Sequence, residues 1–338
     1  MRVRATESEM MSRREVTLFV ILSFLGMPFT ADAQQGQRVY RVGVLETISP
    51  ALNAANFDAF RQGLRALGYV EGQNLVIEYR SADGDASRFP ALATELVRLQ
   101  VDVLVTRGTP AALAAKDAAG AIPVVMAAIG EPLGLGIVAD LARPGGNVTG
   151  FSAFATVLSG KRVELLREML PDLKRIAALL NMGNPLFPPQ WKEIETAARS
   201  LGIEPQLLDM RRSADIRRLF DTAITWRADA LIVGADGLAQ ANRPSITALA
   251  MKHRLPTMYP SREFVDAGGL ISYGVSYPHL YYRASGFVDK IFRGAKPGDL
   301  PVEQPTKFEL VINLKTAKAL RLAIPESVLV RADWVVEK

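Results

Sequence analysis

From Arg38 onward the chain repeats one unit: a short run of Val, Ile and Leu, then an amphipathic stretch of helix length, then the next apolar run. Arg38 to Leu45 (RVYRVGVL), Leu75 to Tyr79, Asp102 to Thr106 (DVLVT) and Pro123 to Ala127 (PVVMA) are the apolar runs. Ala54 to Leu67, Phe89 to Leu99 and Pro110 to Ala119 lie between and after them. In the first of these Phe57, Phe60, Leu64 and Leu67 recur at helical spacing, and Gly68 stops the helix. Strands apolar on both faces need cover on both sides, and helical crossovers join strands in parallel. The rhythm restarts after Pro144-Gly145-Gly146, with strands at Arg175 to Leu180, Pro205 to Asp209, Asp229 to Val233 and Pro256 to Tyr259. Helices are expected at Leu158 to Met169, Gln190 to Leu201, Ala214 to Thr225 and Ala239 to His253.

The predicted fold is therefore α/β: two doubly wound parallel-sheet lobes joined by a multi-segment hinge. A length of 338 residues fits about two domains. The remainder holds a strand (Leu270 to Tyr273), a helix (His279 to Phe292), a Pro/Gly-rich connector (Ala295 to Pro305), a strand (Phe308 to Ile312) and a helix (Lys315 to Leu322). That tail is too short for a third domain, so it is expected to return to the other two. One lobe would comprise 38–148 with 276–296, and the other 149–275 with 306–338. Thr149-Gly150, Gly274-Val275 and Gly298 to Gln304 are the expected hinge segments.

Residues 1–33 have a different grammar. Ser12-Arg13-Arg14-Glu15 is basic, Val16 to Met27 is uncharged and mostly apolar, and Ala31-Asp32-Ala33 offers small residues where a signal peptidase reads. Cleavage after Ala33 and export by the Sec or twin-arginine route are expected. Met11 is an alternative start. The apolar run is short for a membrane span, which needs about 20 residues.

Several chemistries are excluded by composition. The chain has no cysteine, so thiolate sites have no donor, and with only two histidines, His253 and His279, a His-rich metal site is not expected. Forty basic against 35 acidic residues are interspersed, which gives no case for nucleic acid. There is no G-x-x-x-x-G-K-[ST] and no G-x-S-x-G. Gly134 to Ala139 formally matches G-x-G-x-x-A, but it falls inside a helix expected to reach Leu141 and has no acidic residue about 20 positions on, so no cofactor is expected.

Four longer runs carry a more specific signal: Phe60 to Leu64 with Gly68 to Asn74, Gly108 to Lys116 (GTPAALAAK), Arg143 to Gly150 (RPGGNVTG) and Gln304 to Leu320. Together they resemble the substrate-binding proteins of ABC transporters with the type I periplasmic-binding-protein fold, in the branch of tryptophan-type amino-acid binders. The resemblance implies a periplasmic receptor, not an enzyme. It would act as a monomer and hand a small-molecule solute to ABC permease and ATPase subunits.

In open parallel sheets ligands sit beyond the carboxyl ends of the strands, so two facing lobes place their strand ends on one cleft. The candidate ligand-binding residues are Glu46, Thr47, Gly108, Thr109, Glu131, Ser152, Asn181, Asn184, Asp236 and Tyr273. Thr109 before Pro110 reads as a helix cap, and helix starts after Thr109 and Gly183 would favour an anion. Asp236 is the preferred residue for a ligand ammonium, and the resemblance implies an aspartate there; a turn-forming Asp-Gly pair is the alternative. Glu131 stands where the family motif reads Gly-Asp-Pro. Tyr259 and Tyr273 are stacking candidates, with core packing as the alternative. An amino acid or similar polar solute is expected. A sugar is the competing ligand, and an α/β enzyme or the sensing half of a repressor are the competing classes.

Overall fold

The computed structural model describes residues 38–153 and 156–337; the signal segment expected at 1–33 lies outside them. In the first lobe β1 (Tyr40–Glu46), β2 (Leu75–Ser81), β3 (Val103–Arg107), β4 (Val124–Ile129) and β5 (Val148–Ser152) form one parallel sheet in the order β2-β1-β3-β4-β5. Helices α1 (Ala54–Ala66), α2 (Phe89–Arg98) and α3 (Thr109–Ala119) connect them. Order 2-1-3-4-5 reverses direction at β1/β3, and strand ends at such a switch point leave a crevice.

The second lobe contains β6 (Arg175–Leu180), β7 (Glu204–Asp209), β8 (Ala230–Val233), β9 (Thr257–Tyr259), β10 (Ile271–Gly274), β11 (Glu309–Asn313) and β12 (Trp334–Val336). Their order is β12-β11-β10-β9-β8-β6-β7, and only the β10–β11 pair is antiparallel. The helices, in chain order, are α4 (Val157–Met169), α5 (Phe187–Ser200), α6 (Ile216–Thr225), α7 (Gly237–Ala241), α8 (Arg243–Lys252), α9 (Arg262–Asp266), α10 (Tyr277–Phe292), α11 (Leu314–Leu320) and α12 (Glu326–Leu329).

Helix α10 returns to the first lobe. Leu280, Tyr281, Phe287 and Val288 join Val42, Val44, Phe57 and Phe60 in one buried cluster. Gly63 of α1 permits the close crossing, since a Cβ there would lie 2.3 Å from Ser285 Oγ. Removing a ring such as Phe60 from this core costs about 3–5 kcal/mol. β11 and β12 extend the second sheet, so the tail completes both lobes.

Three local expectations are corrected. The stretch expected to be helical up to Leu141 is a chain of turns, with Gly136 N–H donating to Leu133 O and Gly136 at φ +66°; Pro132, Gly134 and Gly136 leave too little helix propensity. The helix expected from Ala239 to His253 divides at Asn242 into α7 and α8, because Pro244 opens a new first turn. Gly150 lies inside β5 at φ +126°, where a Cβ would come 2.2 Å from Met126 O. It is a packed sheet position with no room for hinge rotation. The chain leaves the first sheet only after Ser152, and it crosses again at Val275-Ser276 and in the segment that follows Glu303, whose backbone pairs with Phe151.

Candidate functional site: the chamber between the lobes

The ends of β1, β3, β4 and β8 and the start of α10 meet around a chamber of about 40 Å³. Thr47, Arg107, Gly108 and Thr109 line it from the first lobe, and Asp236 and Gln240 from the second. A passage of about 30 Å³ past Thr47, Asn184 and Asp236 leads outward. Beyond it, Asn181, Arg211 and Asp83 border a groove of about 770 Å³ that is open to solvent. The lobes touch around the chamber. Asn56 Nδ2 donates to Glu263 Oε1 (3.3 Å), and Arg243 Nη2 to the Leu52 carbonyl (2.8 Å). A Cβ on Gly237 would lie 2.8 Å from Thr47 Cβ, and one on Gly130 2.4 Å from Leu186 Cδ1.

The first-lobe wall is built around Arg107, the last residue of β3, which is buried. Its guanidinium lies 3.9 Å over the Tyr277 ring and makes one hydrogen bond, a 3.4 Å contact from Nη1 to Asn53 Oδ1. Burial opposes its charge, but the acidic groups around it, Tyr281, Tyr277, Glu263 and Glu46, outweigh that and raise its pKa. Behind it Glu46 accepts from the Tyr281 hydroxyl and from Thr47 N–H (3.1 Å). Burial raises the Glu46 pKa, and the charge of Arg107 with these donors pulls it back.

Gly108 sits at φ +82° with Thr47 Cγ2 3.0 Å from where a Cβ would stand, so the turn into α3 requires glycine. That turn corrects the reading of Thr109 as the cap. Gly108 is the N-cap, Thr109 is the first helical residue, and its buried hydroxyl has no hydrogen-bond partner.

The second-lobe wall is more fully paired. Asp236 caps α7: Oδ1 accepts from Leu238 N–H (2.9 Å) and Asn181 Nδ2 (3.2 Å), and Oδ2 from Asn184 Nδ2 (3.0 Å). Burial raises its pKa, and the donors from Asn184, Asn181 and the backbone oppose the rise. Gln240, one turn along, donates from Nε2 to Ser261 Oγ (3.1 Å) and leaves Oε1 unpartnered and buried.

Of the ten candidates, Thr47, Gly108, Thr109 and Asp236 line the chamber, and Asn184 lines the passage. Asn181 lines passage and groove, where its side chain also accepts from Gly183 N–H (3.0 Å). The segment after Gly183 is a turn; the helix begins only at Phe187, so the helix-start anion site expected there is corrected. Glu46 stands behind the wall. Glu131 accepts from Thr156 N–H (3.4 Å) near the first crossing, and Ser152 donates to Gly130 O (3.5 Å). Tyr273 packs at 6.1 Å on Phe308, its carbonyl taken by Arg162 Nε (2.9 Å), and Tyr259 stacks on Phe264 in the core. Burial lowers the pKa of Arg162 to about 10. Gln240, Leu186 and Tyr277 had not been singled out. Tyr277-Pro278 after β10 repeats the strand-to-helix grammar of Thr109-Pro110, and that signal could have found Tyr277.

Two parallel-sheet lobes with repeated crossings, closing on a polar chamber at their strand ends, define a two-lobed solute-binding protein. The chain belongs to the ABC transporter substrate binding protein family, whose model matches residues 41–336. It is 27% identical over 280 residues to the tyrosine-binding protein of Clostridioides difficile (strain R20291), covering 82% of this chain and 80% of that one. A domain from Streptococcus pneumonia solved in complex with L-Trp superposes with a TM-score of 0.79 at 31% identity, covering 87% of this chain and all of that one. A ligand-free, open substrate binding protein with adhesive properties from Clostridium difficile gives 0.63 at 25% identity, covering 89% and 100%.

Proposed function

We propose that this protein is the periplasmic receptor of an ABC importer and that its solute is an amino acid, enclosed between the lobes and delivered to a permease and ATPase. The observation that carries the reading is Arg107: a buried guanidinium facing the chamber with a single long hydrogen bond to the protein. A carboxylate can accept two parallel N–H bonds from such a group. Across the chamber the carboxylate of Asp236 supplies negative charge for an ammonium. The names of the relatives, which bind tyrosine or hold L-Trp, support the same class.

Tyr277, the ring that lines the chamber, is already engaged by Arg107 at 3.9 Å, which makes it a poor platform for stacking on a sugar. The receptor works without turnover, as a monomer. The first sheet with α10 and the second sheet with residues 306–338 close as two bodies, and the solute stabilises the closed form through its contacts with both. Cleavage after Ala33 releases the mature chain. Mass spectrometry of the small molecule freed by denaturing natively purified protein tests the class: an amino acid is expected, and a neutral sugar would overturn it.

A further inference from the structure

Two hydrogen bonds between the lobes end on one short segment of the first, the turn from β1 into α1. Arg243 Nη2, from the first turn of α8, donates to the Leu52 carbonyl (2.8 Å), and Glu263 Oε1, on α9, accepts from Asn56 Nδ2 (3.3 Å). The same turn holds Arg107. Asn53 Oδ1 accepts from Arg107 Nη1 (3.4 Å) and from Asn56 Nδ2 (2.9 Å). Asn56 is buried and its Oδ1 has no partner, so its bonds to Asn53 and Glu263 fix where its side chain lies. A line of contacts thus runs from Glu263 on the second lobe, through Asn56 and Asn53, to the guanidinium that lines the chamber.

Charge follows the same line. Burial lowers the pKa of Arg243, Glu263 opposes that, and the like charge of Arg107 adds to it. Burial also opposes the charge on Arg107, and Glu263 acts with Tyr281, Tyr277 and Glu46 to hold it. One carboxylate therefore faces two arginines that come from opposite lobes. Its neighbour Arg262 is tied to Asp266 within α9 (3.4 Å) and leaves Glu263 to them. Glu263, Asn56 and Arg243 line neither the chamber, the passage nor the groove, so a solute there does not touch them. Like charges brought together across an interface oppose it unless a counter-charge stands between them.

We propose that Glu263 is a positioning residue for closure: it lets Arg243 and Arg107 come together as the lobes shut, and so sets solute affinity without touching the solute. The proposal rests on the two-body closure proposed above. Glutamine at this position keeps an acceptor for Asn56 and removes the charge.

The absence of cysteine permits a direct test. Spin labels on Asp117→Cys and Arg212→Cys, exposed on opposite lips of the groove, read the separation of the lobes by electron–electron resonance. The protein is refolded to strip bound solute and measured alone and with a mixture of the common amino acids. The parent should show a short and a long distance, with the mixture favouring the short one. A single distance under both conditions overturns the closure of two bodies and this proposal with it. Two distances in proportions that the mixture leaves unchanged overturn the amino-acid reading alone, and the comparison of variants still stands. Glu263→Gln should raise the ratio of long to short distance, or the amino-acid concentration needed for half closure, about five- to tenfold. Adding Arg243→Gln should restore part of the short distance, because the like charges no longer meet. Identical distributions and midpoints in Glu263→Gln and parent overturn the proposal, as does a double variant more open than Glu263→Gln.

Discussion

The two walls of the chamber carry opposite charges and treat them differently. On the second lobe Asp236 is bound on both oxygens by Leu238, Asn181 and Asn184. On the first, Arg107 makes one 3.4 Å bond, and Thr109 Oγ1 makes none. A charge alone therefore does not mark the recognition group. What matters is how much of its hydrogen-bonding capacity the protein has already spent. Asp236 holds its wall in shape and contributes charge at a distance, whereas Arg107 keeps capacity for a ligand.

The largest effect should come from removing the carboxylate that shapes the second wall. Asp236→Ala strips a helix cap and leaves two buried amides without their acceptor, a loss of about 2–4 kcal/mol of stability. Thermal unfolding reads it. A variant as stable as the parent would mean that the Asp236 network does not organise the wall. Arg107→Met comes next and acts on binding: loss of a charged hydrogen-bonded contact should weaken the solute by about 1.5–3 kcal/mol in calorimetry. Unchanged affinity would reverse the assignment of roles. Thr109→Val is smaller. Thermal unfolding should show stability held or slightly raised, because an unpaired hydroxyl is removed.

The pH dependence of Asp236 gives the smallest and slowest signal. Its pKa is raised by burial above the ordinary 3.8. Between the two values the folded state holds more of the proton than the unfolded one, so its contribution to stability declines as pH rises from about 4 upward. Asp236→Asn, which keeps a cap oxygen, should lose less relative to the parent at pH 8 than at pH 4. Urea unfolding at both pH values measures the difference, and an unchanged gap contradicts the raised pKa.

Much of this was legible in the residues. Continuous Val/Ile/Leu runs separated by helix-length stretches identify parallel strands, and strand-end loops then point to a shared cleft; Thr47, Gly108, Thr109 and Asp236 followed from that rule. What stayed illegible depends on pairing across long sequence separations. Nothing near Asp236 shows that Asn181 and Asn184, more than fifty positions earlier, consume its oxygens. Arg107 ends a strand directly before Gly108, but its value comes from partners it lacks, which local sequence does not record. Gln240 belonged to a helix expected to run on to His253, and only the break imposed by Pro244 isolates the short helix that aims at the chamber. Gly150 misled for the reverse reason: glycine here answers a close approach by Met126 O and not a need to bend.

The central claim is that Arg107 holds the carboxylate of an amino-acid solute. The most direct measurement compares the solute released from the native protein with its carboxamide, by calorimetry on the parent and on Arg107→Met. If the account is right, converting the carboxylate to the amide costs the parent about 1.5–3 kcal/mol and costs the variant little. Equal losses in the two proteins would show that the carboxylate, if present, is held elsewhere.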